Sequence, residues 1–323
     1  MSRPRRALSV QLCGGLLIGC SLLGCRSAPI TGRPQLLMVP EQSEISMGAT
    51  AYQETLNSHP ASTNAQYIEV VNRVGARISQ VANRPDYQWE FKVLASPEMN
   101  AFCLPGGKVA VYEGIMPICQ NEAGVAVVLS HEISHALARH GGERMSQSYV
   151  VNGVGTAVGY MTRSQDAVLR QRVNTVYGLS SKYGFILPYS RKHESEADHM
   201  GLLLMAQAGY DPSEAPRFWT RFGGQQSAKP PEFLSTHPAD DRRAHELQEL
   251  LPQAVAMYEQ APEKLGLGET LTIAPIVQQS APAAPTGDAP VADATTGSGA
   301  PGTPAPVIDG NSQLARLPVA TGQ

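Results

Sequence analysis

The chain has 323 residues, room for one large domain or two small ones. Charged residues make up 16% and the formal net charge is -3, so no basic excess invites nucleic acid, and that class of partner is set aside. Hydrophobic residues reach 42%, enough for a real core, but they crowd the extreme N-terminus and the middle and thin out toward the end.

The opening residues read as an export signal. Arg3, Arg5 and Arg6 form a positive stretch, and Leu8 to Leu23 form a short apolar one. Leu22-Leu23-Gly24-Cys25 then resembles the lipobox of bacterial lipoproteins, which implies lipidation of Cys25 and removal of residues 1–24. Leu17-Ile18-Gly19-Cys20 fits that pattern as well, but Arg26 and polar sequence begin directly after Cys25. The apolar run is short and broken by glycines, which disfavours a stable span. Acyl chains would hold the mature protein on a bilayer. With no aspartate after the cysteine, the expected location is the outer membrane of a bacterial cell envelope, facing the periplasm. Cys103 and Cys119 then remain, either to pair in an oxidising compartment or to stay as unpaired core residues.

Further along, Ile45, Ala49, Tyr52 and Leu56 recur at helical spacing over 41–58, and Ile68, Val71, Val74, Ile78 and Val81 do so over 65–82. Tyr87 to Leu94 reads as a strand, and Lys108 to Tyr112 as another after the turn-forming Pro105-Gly106-Gly107. Residues 121–140 predict a strongly apolar helix that Gly141-Gly142 ends. The stretch 143–188 predicts helix with breaks. Helices are expected over 190–208, over 214–222 with Ser213 as the cap, and over 240–251. From about Ala274 the Pro, Ala, Gly and Thr composition cannot bury enough surface to offset ordering entropy, so 274–323 is expected to be a disordered tail. The folded unit, residues 25–273, is thus expected to be α+β and mostly helical, with a small sheet.

His131-Glu132-Ile133-Ser134-His135 carries the chemistry. Four helical residues turn through about 400°, so the two imidazoles leave one face roughly 6 Å apart, close enough for both to reach one zinc ion at about 2.1 Å. Glu132 is rotated about 100° from His131 and suits a base acting on a water rather than a ligand. Val125, Val127, Val128, Leu129, Ile133 and Leu137 make this helix apolar nearly all round, and burying two histidines and a glutamate without a metal is costly. A third ligand is needed. Gly141 and Ala138 stand where one known zinc scheme wants a histidine and a glycine, and His140 misses that register, so it is expected at the helix end, complementing the dipole. A later helix offers Glu194, with Asp198 four residues on and on the same face. Asp198 would then take the remaining ring N–H of a ligand histidine, His131 being the candidate. Ala197 allows close helix packing, while His193 and Glu196 are expected on the surface.

The paired motifs resemble those of the HtpX and CaaX-prenyl-protease family of zinc endopeptidases, in its exported, membrane-attached branch. Supporting blocks are Thr31-Gly32-Arg33, the run from Asn100 to Gly107, and Thr236-His237-Pro238. The resemblance implies a zincin-like domain with one Zn2+ per chain and an edge strand facing the active-site helix. It also implies that His237 lies near the metal, either donating to the oxyanion or closing the site as a fourth ligand, and that Arg243 holds that loop or adds a donor. Strand 108–112 is expected to bind extended substrate through main-chain hydrogen bonds, with Asn100, Gly106, Gly107, Lys108 and Val109 shaping its approach. The expected substrates are unfolded or misassembled envelope proteins. A chaperone that only captured such chains would not need Glu132. The oligomeric state is left open.

Overall fold

Asn64 starts one of the helices that the apolar spacing predicts: its side chain accepts from the Tyr67 N–H and satisfies one of the donors every helix start leaves over. In a computed structural model of the protein the described residues are 25–182, 187–224, 237, 241–266 and 270–271. The expected leader over 1–24 and tail over 274–323 lie outside the described residues, as do Thr236 and Pro238. Strands β1 (Cys25–Ser27) and β2 (Pro34–Leu36) form an antiparallel pair, followed by α1 (Glu41–Ser58) and α2 (Ala65–Val81). Next come β3 (Glu90–Leu94), β4 (Ala101–Leu104), β5 (Lys108–Tyr112) and the one-turn helix α3 (Met116–Cys119). The rest is helical: α4 (Glu122–Leu137), α5 (His140–Thr162), α6 (Ala167–Ser181), α7 (Leu187–Gln207), α8 (Glu214–Gly223) and α9 (Asp241–Gln260). The expected mostly helical α+β domain is what the chain forms.

Helix α4 runs through the middle. Every residue from Glu122 to Ala136 is buried, and Leu129 and Ile133 are wholly so. Truncating either to alanine would cost about 2–5 kcal/mol. The apolar face of α2 packs against this core, with Gly75 meeting the Phe91 ring so closely that a side chain there would collide. Cys103 and Cys119 are both buried and free.

Several elements differ from the sequence reading. The three-stranded sheet has the order β3-β5-β4, so Lys108–Tyr112 is its central strand, parallel to β3 and antiparallel to β4. It has no free edge for a substrate. The edge that faces α4 is β4, a strand too short and too uniformly apolar for an alternating pattern to reveal. Gly141-Gly142 does not end a helix either. Arg139, at φ 54°, breaks the path, and α5 begins at His140 and runs through both glycines. Gly142 is there for packing, since any side chain would strike the Glu44 carboxylate. Ser213 precedes α8 without making a side-chain cap bond. The last helix continues through Pro252 to Gln260.

Candidate metal centre

The motif helix α4 and the later helix α7 cross at Gly201. A Cβ on that glycine would lie 3.0 Å from the His131 amide nitrogen and 3.1 Å from its Cα, so any side chain there would push the two helices apart by a few tenths of an ångström. One turn earlier Ala197 is fully buried. These two small residues bring the α7 carboxylates onto the α4 imidazoles.

The result is a tight cluster. One ligand atom from each of His131, His135, Glu194 and His237 falls within 4.8 Å of all the others, and all four side chains are buried. His131 Nε2 is 3.1 Å from His135 Nε2, 3.2 Å from His237 Nδ1 and 3.4 Å from Glu194 Oε2. Glu194 Oε1 is 3.6 Å from His135 Nε2, and Glu194 Oε2 is 2.8 Å from His237 Nδ1. An ion bound tetrahedrally at about 2.1 Å would separate its ligand atoms by about 3.4 Å, which these edges bracket. The tautomers agree. His131 Nδ1 lies 3.0 Å from Asp198 Oδ1 and His135 Nδ1 2.8 Å from His140 Nδ1, so each ring carries its proton outward and turns a lone pair inward. Two lone pairs 3.1 Å apart repel unless a cation lies between them. Glu194 Oε1 is also buried without a hydrogen-bond partner. The residues fit a metal ion.

The electrostatics favour positive charge at this spot. Burial lowers the His131 pKa, yet hydrogen bonds to Asp198 and Glu194 outweigh it and, with no ion bound, raise the group to about 9, so a proton on Nε2 takes the place between the ligand atoms that a metal would otherwise fill. Burial works against the Glu194 carboxylate, but His237 and His135 hold it well below the usual range. Asp198 is likewise kept low against burial, chiefly by Arg243, which donates to its two oxygens at 2.7 and 2.6 Å. Arg243 also stacks 3.5 Å over the Trp219 ring and lies 3.4 Å from Glu194 Oε2. Glu132 is 1% exposed, and burial raises its pKa against the opposing influence of His237 and His131. Its Oε1 is 3.5 Å from His237 Nε2. His237 thus bridges the expected base and the ligand atoms of Glu194 and His131.

Behind His135 lies a buried network that the sequence reading missed. His140, expected at a helix end, is fully buried and joins His135 to Glu196 at 3.0 Å. Glu196 and His193, expected on the surface, are 4% and 1% exposed. Arg33 grips Glu143 at 2.8 and 2.7 Å and Glu196 at 2.7 and 3.1 Å, and Thr31 also donates to Glu196. His193 pairs with Glu143 at 3.0 Å and stacks on His140, ring centres 4.3 Å apart. Helical spacing held the signal: Glu196 and His193 lie three apart, on the side of α7 that faces α5.

The expected substrate contacts divide. Asn100 is 2% exposed at the head of β4, where its Oδ1 accepts from the Ala101 N–H at 2.9 Å and its Nδ2 is buried with no partner. Gly106 and Gly107, at φ 91° and 84°, make the turn into β5, and Gly107 rests on Trp89. Lys108 bonds Gln88 and Glu90. Those three and Val109 belong to the sheet's own pairing, not to a peptide-binding edge.

Residues 65–251 match Peptidase family M48. The chain belongs to this family. It is 36% identical over 231 residues to the mitochondrial metalloendopeptidase OMA1 of Schizosaccharomyces pombe, covering 70% of this chain and 66% of that one. To OMA1 of Saccharomyces cerevisiae it is 33% identical over 270 residues, covering 75% and 74%. To the beta-barrel assembly-enhancing protease of Escherichia coli it is 27% identical over 237 residues, covering 71% of this chain and 48% of the relative. The expected family and its metalloprotease chemistry therefore stand: this is a metal-dependent endopeptidase. The expected location does not. Relatives from two yeasts, a plant, cattle and humans bear the name of a mitochondrial enzyme, which points away from a bacterial outer-membrane lipoprotein.

Proposed function

We propose that this protein is a zinc endopeptidase that cleaves unfolded or misassembled protein segments held in extended form. The convergence of His131, His135, Glu194 and His237 beside Glu132 carries the reading. The histidine-rich donor set with one carboxylate suits zinc. When bound, zinc supplies Lewis acidity that polarises the scissile carbonyl and acidifies the attacking water.

His131, His135 and Glu194 would hold the ion. Glu132 takes the proton of the attacking water and passes it to the leaving amine, a role its raised pKa suits. His237 must swing aside to admit water and substrate, and from there its ring can donate to the developing oxyanion. The substrate lies along β4. Because the Tyr112 N–H donates to the Asn100 carbonyl at 3.0 Å, alternation along the antiparallel pair turns the main-chain groups of Ala101 and Cys103 away from β5. Ala101 to Leu104 are 1–7% exposed, so a peptide reaches this edge only when the groups that cover it move aside; main-chain pairing then accepts any extended sequence, which favours unfolded segments. Casein hydrolysis by wild type and Glu132→Gln tests the reading: wild type should degrade casein, and equal degradation by both would remove Glu132 from the chemistry.

A further inference from the structure

Among the described residues, none covers the α5–α6 hairpin where it leaves the body of the protein. Residues 140–147 are buried apart from Arg144, but from Tyr149 to Lys182 none is. The two helices touch along a thin seam of partly buried positions, Val151, Gly155, Val158 and Thr162 against Val173 and Tyr177. Tyr177 donates to the Val151 carbonyl, and Gly155 meets the Tyr177 ring. A pair of helices joined by so little apolar contact buries too little surface to be stable alone in water.

The exposed side chains are not random. Val150, Val154, Ala157 and Met161 fall within about 60° of one another around α5 at 100° per residue, with Tyr149 and Tyr160 at the border of that stripe. Val150, Val154 and Met161 are 39%, 48% and 76% exposed, and Tyr160 is 63% exposed. On α6, Val168, Leu169, Val176 and Leu179 form a second stripe, 41–63% exposed. Running the two helices antiparallel about their seam turns both stripes to the same side. Residues 145–162 contain no Asp, Glu, Lys or Arg. From Met145 to Lys182 the charges are Arg163, Arg170, Arg172 and Lys182 against Asp166 alone, in a chain whose formal net charge is -3.

We propose that this face of the hairpin lies on an anionic phospholipid surface, its valines, leucines and Met161 among the acyl chains, its tyrosines and Arg172 at headgroup level, and its other basic residues adding longer-range attraction. The apolar stripes supply burial and the basic residues supply attraction to acidic lipid. The same excess of positive charge disfavours docking against a second copy. No helix among the described residues is long and apolar enough to cross a membrane, so the contact is with the surface.

Flotation of the full chain with vesicles tests this. The protein should bind phosphatidylcholine vesicles that contain phosphatidylserine and bind phosphatidylcholine alone weakly. Replacing Arg163, Arg170 and Arg172 together by glutamine should weaken binding by about a hundredfold, given the attraction each basic residue has to an acidic surface. Val154→Asp with Met161→Asp should abolish it. These positions are exposed, so circular dichroism should stay unchanged. A Tyr160→Trp variant should be quenched by brominated acyl chains in the acidic vesicles. Binding that ignores lipid charge overturns the proposal, as does binding through the N-terminal segment that the hairpin variants leave intact. Concentration-dependent dimers that those variants dissolve overturn it too.

Discussion

Replacing Arg33 by methionine tests whether the buried network behind the metal site orients its ligands. The guanidinium makes four contacts of 2.7–3.1 Å with Glu143 and Glu196, whose side chains are 1% and 3% exposed. Taking one partner from a buried ion pair leaves an uncompensated charge, at a cost of about 3–5 kcal/mol. The arginine itself keeps 19% of its side chain exposed, so the lower end, about 3 kcal/mol, is expected in urea denaturation of the metal-free protein. The two carboxylates can recover part of that cost by drawing protons onto His140 and His193. A protonated His140 no longer accepts from His135 Nδ1, and the ligand loses the partner that fixes its ring. Loss of such a partner weakens metal binding by about 10–100-fold, which competition with a zinc chelator measures directly. Arg33→Lys should recover part of both effects. A methionine variant within about 0.5 kcal/mol and twofold of wild type would show that the network neither stabilises the fold nor orients the site.

Gly201→Ala should disrupt the crossing of α4 and α7, because the new Cβ would sit 3.0 Å from the His131 backbone. Zinc affinity should fall by tenfold or more while far-ultraviolet circular dichroism is retained; unchanged affinity would mean the helices can part without moving Glu194. Stability should fall in acid. Burial and the neighbouring His193 lower His140 to about 3, and hydrogen bonds from His140, Thr31 and Arg33 bring Glu196 to about 2 against its burial. Both folded values lie below the unfolded ones. Their contribution is therefore complete above about pH 6.5, declines as the pH falls through 6.5 toward 3 for His140, and through 4.5 toward 2 for Glu196. Thermal melts of the metal-free chain over that range should show a falling midpoint, and a flat profile would contradict the buried pairing. Zinc at a hundredfold excess over its dissociation constant should stabilise the folded chain by about 2.7 kcal/mol, reversed by a chelator. A midpoint indifferent to zinc would leave the four-ligand cluster without an ion.

The chemistry was legible in the chain because it rests on local geometry. Helical rotation alone puts His131 and His135 on one face and Glu132 off it, and the same arithmetic pairs Glu194 with Asp198 on α7. Apolar spacing foretold α1 and α2, and the uninterrupted apolar character of α4 foretold its burial. Other features depend on what a residue meets across the fold, which spacing along the chain does not encode. Lys108–Tyr112 reads as a strand in any context, but its central place in the sheet is set by β3 and β4 pairing on either side. His140, His193 and Glu196 look solvated in sequence because charged residues usually are, and only the approach of Arg33 from the N-terminal strands makes their burial tolerable. Gly142 reads as a helix stop until Glu44 is seen filling the space beside it. Periodicity reports which face of an element is apolar, whereas compensation of buried charge is a property of neighbours that only the folded chain brings together.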